Sequence, residues 1–275
     1  MKELTIKEIQ EVSLEILHTV AQICEKCHFR YTLVYGTLIG AVRHKGYIPW
    51  DDDVDIMMPR PDYDKFLDYF KKNNKKYPNL KLFNHKEVSS YPYMIGRICD
   101  DRYTIKTNNE KPCGMGIFID IYPYDGLGMT KKESVKFGLK GDHLSSLCFL
   151  ASRLHFEPQD NKKWFEKILL FFAYVYAKIL GKDYFQRKLE KMANVKNYDE
   201  SNYIGCVTWL SWGEKDIFKR EWFDETIMTK FEKYQFRIPK EYDKILRHEY
   251  GDYMKLPSEE DRVGHHYFRA YKKSK

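Results

Sequence analysis

Near the N-terminus, apolar side chains recur every three or four positions. Ile9, Val12, Ile16, Val20, Ile23 and Cys27 form one stripe, the signature of a helix with one buried face. Thr5-Ile6-Lys7-Glu8 ahead of it reads as a capping box, so the spacing predicts a helix from there to about residue 28. The pattern then shortens. Arg30–Tyr35 reads as a strand ending in Gly36-Thr37, Leu38–Arg43 as a short helix or helical turn, and 46–50 as a loop. Asp53–Met58 reads as a second strand, and Pro61-Asp62 opens a helix carrying Tyr63, Phe66, Leu67 and Phe70. Strands are expected at Leu80–Asn84, Tyr93–Arg97 and Tyr103–Lys106. A stronger one, Gly116–Tyr122, should stop at Pro123 and the turn Asp125-Gly126.

From Thr130 to about Val195 the pattern is helical. Trp164–Leu180, WFEKILLFFAYVYAKIL, is apolar nearly all round, too short and too interrupted by Lys167 and Lys178 to span a bilayer. A buried core helix is the expected reading; a helix lying on a membrane surface is the second. His248–Pro257 is expected as a helix end and loop.

With 43% hydrophobic and 16% aromatic residues in a chain of 275, there is enough apolar material for a full core. The net charge of +7 suits an anionic partner, but the lysines are dispersed and no arginine-rich tract occurs. That argues against a nucleic-acid channel, and with it against a template or tRNA nucleotidyltransferase. The first residues lead into an amphipathic helix and carry no apolar export segment, so a cytoplasmic protein with reduced thiols is expected. Cys24-Glu25-Lys26-Cys27-His28 fits a haem-attachment pattern. It lies on the apolar face of a helix, with no second ligand pair at matching spacing, so buried helical cysteines are the better reading.

The candidate chemistry sits at Asp51, Asp52, Asp53 and Asp55. Asp53-Val54-Asp55-Ile56 alternates acid and apolar, which on a strand puts both carboxylates on one face. Carboxylates held side by side repel unless a cation lies between them, and oxygen ligands of this kind suit Mg²⁺ or Mn²⁺. Gly36-Thr37 offers backbone N–H groups and a hydroxyl to a phosphate. Asp120 is a lone acid in an apolar run, either a surface position on an edge strand or a third carboxylate for the same metal. A calcium loop is excluded: Asp51, Asp53 and Asp55 are spaced as in an EF-hand, but Ile56 stands where glycine is required and Asp62 where glutamate is. A phosphate cradle with a metal-binding acid pair points to phosphoryl or nucleotidyl transfer.

Gly36–Phe66, GTLIGAVRHKGYIPWDDDVDIMMPRPDYDKF, closely resembles the signature of the LicD family, bacterial phosphocholine transferases that decorate teichoic acids or lipopolysaccharide. The resemblance continues at Gly116–Gly126, GIFIDIYPYDG, and at Tyr250–Pro257, YGDYMKLP. It implies an α+β fold: a mixed β-sheet of the nucleotidyltransferase type, as in DNA polymerase beta, flanked by helices with an additional helical segment. The division expected is a catalytic core over 1–129, a helical insertion over 130–200, and a segment over 201–275 that packs back on the core. The donor implied is CDP-choline and the acceptor a sugar hydroxyl on a lipid-linked or polymeric glycan, with CMP released. Transfer of ribitol phosphate or glycerol phosphate from the corresponding CDP-alcohol is the alternative.

On that resemblance Asp53, Asp55 and Asp120 hold one or two Mg²⁺, with Mn²⁺ as substitute, and Asp120 also serves as base. Gly36 and Thr37 cradle phosphate, Arg43 neutralises the leaving CMP, His44 assists, and Asp52 orients its neighbours. Choline, a quaternary ammonium, is best held over aromatic faces, for which Trp50, Trp209 and Trp212 are the candidates. An acceptor on a lipid carrier would place the protein at the inner face of the membrane.

Overall fold

The computed structural model describes residues 2–158, 162–209, 213–262, 264 and 268–274. Helix α1 (Ile6–Cys27) begins at the expected cap: Thr5 accepts from the Glu8 N–H while the Glu8 carboxylate reaches back to the Thr5 N–H. His28 ends it in the left-handed conformation; Ile9, Ile16, Val20 and Ile23 of the apolar stripe are buried together with Leu14 and Leu17, and Val12 and Cys27 are half-buried at its margin. The helix lies against β4 (Gly96–Asp100) and β6 (Ile117–Gly128) of the main sheet. Cys24 is buried in this face, and all six cysteines are free thiols.

The main sheet is mixed, with strands in the order β1 (Thr32–Leu33), β2 (Asp55–Pro59), β6, β4 and β3 (Leu80–Phe83). β2 and β6 run parallel and the other pairs antiparallel. Helix α2 (Tyr35–Ile39) and a π-helical turn over Gly40–His44 connect β1 towards β2, and α3 (Arg60–Asn73) follows β2 directly. β5 (Tyr103–Thr107) pairs instead with β11 (Phe268–Lys272). The fold is α+β.

Several boundaries differ from expectation for identifiable reasons. β1 is only two residues long, because Val34 already caps α2 and Tyr35 turns the chain at φ +53°. β4 starts at Gly96, because Tyr91 and Tyr93 pack in the core instead of pairing. β6 runs straight through Pro123, which lies beyond the last β4 pair, Gly96 with Ile121. There β6 has lost one neighbour, and a residue without an N–H is tolerated at such a position. Farther on, β6 pairs with β7 (Tyr203–Gly205), which pairs with β8 (Phe218–Lys219). Asp125, expected in a turn, is fully buried in this continuation and ion-paired to Arg60 at 2.6 Å.

Helices α4 (Lys131–Ser152), α5 (Trp164–Leu180) and α6 (Lys182–Ala193) pack on one another beside the sheet. The expectation of a buried α5 is overturned. Ala177 is its only buried residue, and Trp164, Leu169, Phe172 and Ile179 are each at least 65% exposed. A helix apolar all round has the same periodicity whether neighbours surround it or one neighbour flanks it, so the pattern could not separate the two. The hairpin of β9 (Thr226–Phe231) and β10 (Tyr234–Pro239) lies against β1, and α7 (Tyr242–Tyr250) packs near α2. Trp212 lies outside the described residues.

Candidate active site

The parallel register of β2 and β6 sets Asp55 directly beside Asp120. The Asp120 N–H donates to the Val54 carbonyl at 2.8 Å, locking that register where the two strands begin. Asp53 lies two residues before β2, on the approach to the strand and not within it. It still joins the group: ligand oxygens of Asp51, Asp52 and Asp53 all lie within 4.8 Å of one another. Asp120 is thus no surface residue; it stands on a central strand between β2 and β4 and is 7% exposed.

The glycine-threonine turn is built into this cluster. The Asp55 N–H donates to Thr37 Oγ1 at 2.9 Å, and the Val34 N–H donates to the Asp55 carbonyl at 3.2 Å. These bonds pin the start of α2 to the start of β2. A Cβ on Gly36 would sit 2.8 Å from Asp51 Oδ2, so glycine is what allows the carboxylate to approach the turn. Gln10 on α1 donates to the Asp51 carbonyl at 2.6 Å and holds the acidic loop from the other side.

The electrostatics follow from the crowding. Burial first, then Asp52, Asp51 and Asp120, push the Asp53 carboxyl well above the usual carboxylate range. Burial, then Asp53, Asp120 and Asp51, do the same to Asp55. Burial also raises Asp120, but there Arg97 opposes it. Arg97 Nε donates to Asp120 Oδ1 at 2.5 Å and Nη2 to Oδ2 at 3.4 Å. Its guanidinium lies 4.2 Å from the Tyr93 ring centroid and 4.0 Å from that of Phe118. One buried arginine thus faces several acids. A donor set of crowded carboxylate oxygens fits a hard divalent cation.

Arg97 was missed in the sequence, and Asp51, singled out there with its neighbours, had no settled role. The available signal for Arg97 was a lone cation in a run that otherwise reads as buried, the counterpart of Asp120. Other expected residues are placed differently. Arg43 ties the 251–257 loop to the π-helical turn: Nη1 donates to the Tyr253 carbonyl at 2.6 Å and Nε to His44 Nε2 at 3.0 Å. The cation ion-paired to Asp120 is instead Arg97. His44 meets Trp50 edge-on at 6.4 Å, and Arg262 lies 5.9 Å from the Trp50 ring. Trp209 meets Tyr93 edge-on at 5.9 Å, on the side of Arg97. Tyr122 and Tyr250 are also at the site, since Asp55 acts on both phenols, which burial pushes far up. A half-open pocket of about 250 Å³, lined by Cys24, Arg30, Tyr31, Met57 and Arg237 among others, contains none of these acids.

A glycine turn at a helix start, an acidic entry to one strand and a further acid in register on its parallel neighbour are the arrangement expected of a nucleotidyltransferase-type domain. Residues 28–149 match the family model described as LicD/FKTN/FKRP, nucleotidyltransferase domain. Over 273 residues the chain is 31% identical to the lipopolysaccharide cholinephosphotransferase LicD of Haemophilus influenzae, covering 98% of this chain and 99% of that protein. An uncharacterised protein of Rickettsia typhi is 31% identical over 127 residues, 46% of this chain and 38% of its own length. The chain belongs to the LicD family and is a transferase.

Proposed function

We propose that this protein transfers phosphocholine from CDP-choline to a sugar hydroxyl of a lipopolysaccharide or teichoic-acid-type glycan, with release of CMP. The observation that carries the reading is the in-register pair Asp55–Asp120 with Asp51, Asp52 and Asp53 beside it, in a chain that matches a cholinephosphotransferase from end to end. Asp53, Asp55 and Asp120 would hold Mg²⁺ or Mn²⁺, with Asp51 and Asp52 close enough to share in binding or to orient the others. Bound there, a divalent ion neutralises diphosphate charge and polarises the phosphorus under attack.

The chain's own residues supply the rest. Thr37 fixes the start of β2 through the Asp55 N–H, so the turn and the acids move as one unit. Arg97 aims Asp120 by engaging both of its oxygens and opposes the upward push of burial on its carboxyl. A carboxylate held this way suits ion binding better than proton abstraction. The choline methyls would lie against aromatic faces, with Tyr122, Tyr250 and Trp50 nearest the acidic loop and its strands. A nucleotide donor places the reaction in the cytoplasm. Among the described residues no helix is long and apolar enough to cross a membrane.

The test is a panel of CDP-choline, CDP-ethanolamine, CDP-ribitol and CDP-glycerol with Mg²⁺ and a glycan acceptor, read as CMP release. Acceptor-dependent release from CDP-choline above the other three supports the reading. Preference for CDP-ribitol or CDP-glycerol overturns the choline assignment.

A further inference from the structure

Helix α5 presents an unusual outer face. At about 100° per residue, Phe171, Trp164, Ile168, Ile179, Phe172 and Leu169 fall on one continuous arc of roughly 160°. All six are exposed, Trp164 by 75% and Ile179 by 77%. No charged side chain lies within the arc. Glu166 falls on the side towards the protein, and Lys167 and Lys178 fall together along one edge. The opposite side packs on α4 and α6 through Ala177 and Leu180. The exposed parts of these side chains sum to well over the few hundred Å² of contiguous apolar surface that a soluble monomer ordinarily shows.

What surrounds this face is basic. Between residues 162 and 191 there are eight lysines and arginines against three acids. Lys162 and Lys163 precede the helix and Lys182 follows it. Lys178 is folded back onto the carbonyls of Ala151 and Arg153, which leaves the apolar arc clear. Phe156 extends the apolar edge, meeting Phe171 edge-on at 5.3 Å.

From this arrangement we infer that α5 docks the protein on an anionic lipid surface, its apolar arc sinking into the headgroup boundary while the flanking lysines meet lipid phosphates. A wide charge-free arc with a tryptophan at one end and lysines at its margins is what a helix lying in a bilayer interface requires. A second copy is the poorer occupant. Antiparallel packing of two such helices about a twofold axis would bring Lys162 and Lys163 of one copy towards Lys182 of the other, like charge on like. Docking stands on the geometry of α5 alone. It deepens the proposed function, and rests on it only for its purpose: bringing the acids to a glycan carried by lipid.

The experiment is vesicle flotation with the full chain. Vesicles of phosphatidylcholine with about a third phosphatidylglycerol, and of phosphatidylcholine alone, are used at low and high salt. The wild type is compared with a Leu169→Glu/Phe172→Glu variant. The expected result is flotation with anionic vesicles, weaker with neutral ones and weaker at high salt. The variant should lose roughly tenfold or more in partitioning, since two apolar side chains no longer enter the interface. An unchanged melting temperature establishes that the variant is folded. CMP release with a water-soluble acceptor should be equal in both proteins, because that assay tests the chemistry without a membrane. No flotation at either salt overturns docking, and so does equal flotation of the folded variant. A concentration-dependent dimer that the double substitution abolishes, without vesicle binding, overturns it in favour of self-association. Flotation without CMP release leaves docking standing and removes the proposed chemistry.

Discussion

The acidic end of the sheet and the outer face of α5 each gather one kind of side chain that a folded chain ordinarily disperses. At the sheet it is charge: Asp51, Asp52 and Asp53 lie together, Asp55 stands beside Asp120, and Arg97 is ion-paired to Asp120. On α5 it is apolar surface, with a row of large side chains in water. A chain selected only for stability would place neither. The two regions solve opposite packing problems. The acids are fixed by strand register, by Thr37 and by Gln10, so their repulsion is borne by a rigid frame. The α5 face is held only from behind, and its outward side chains brace nothing. Changes at the acids should therefore be felt in chemistry and in the core, and changes on the α5 face in neither.

The largest effect expected is on catalysis. Asp55→Asn should lower transfer on the order of a thousandfold, the scale of losing a main electrostatic element of an active site, while leaving the protein folded. Because it relieves crowding with Asp53 and Asp120, its melting temperature without metal should equal or exceed that of wild type. A variant that keeps wild-type turnover with Mg²⁺ supplied would remove Asp55 from the site.

Next comes the buried counterion. Arg97→Ala leaves Asp120 unpaired among other acids and should cost about 3–5 kcal/mol, the scale for breaking a buried ion pair from one side. Asp120→Asn should cost less, because Arg97 then still faces Asp53 and Asp55. Urea unfolding of both variants measures the difference, and the reverse order would contradict the charge imbalance described for the cluster.

How much of this could be read in the chain beforehand differs between the two regions for a physical reason. Acids inside apolar runs break a pattern, so Asp53, Asp55 and Asp120 stood out, and strand alternation brought two of them together. Their partners were less visible. Arg97 lies on a strand whose start was placed three residues early, and only the β4–β6 register shows that it meets Asp120. Asp51 was visible as one of the four aspartates, but its approach to Gly36 is seen only in the fold. Arg43 was expected to neutralise the leaving CMP; its guanidinium donates to the Tyr253 carbonyl in the 251–257 loop. For α5 the pattern itself was the obstacle, because apolar residues on every side do not say which side is covered. Capping was the most legible feature: Thr5 and Glu8 gave the start of α1 to the residue.

A third prediction extends the charge imbalance behind the site. Glu249 on α7 is 1% exposed, and burial, then Asp216, push its carboxyl to about 8. The folded protein therefore holds a proton that the unfolded chain has already lost between about pH 4.5 and pH 8. Its contribution to stability falls as pH rises through that window, by up to about 1.4 kcal/mol per pH unit. Glu249→Gln should remove that slope, so the variant gains on wild type from pH 5 to pH 8. Parallel melting curves across the window would refute the assignment.

The smallest effect expected is on the other side of the comparison. Ile179→Ala on α5 should change stability by no more than about 0.5 kcal/mol, as for any exposed side chain. Leu17→Ala, at a fully buried position of α1, should cost about 2–5 kcal/mol. A large loss for Ile179→Ala would mean that α5 is covered in the free protein.

The central claim is that the crowded acids bind metal to drive transfer from a CDP-alcohol, choline above the others. The most direct measurement is CMP release from CDP-choline with glycan acceptor, followed through a Mg²⁺ titration for wild type and Asp53→Asn side by side. The account predicts saturable, EDTA-reversible activity in the wild type and near-complete loss in the variant at every Mg²⁺ concentration. Metal-independent release, or equal rates in the two proteins, would contradict it.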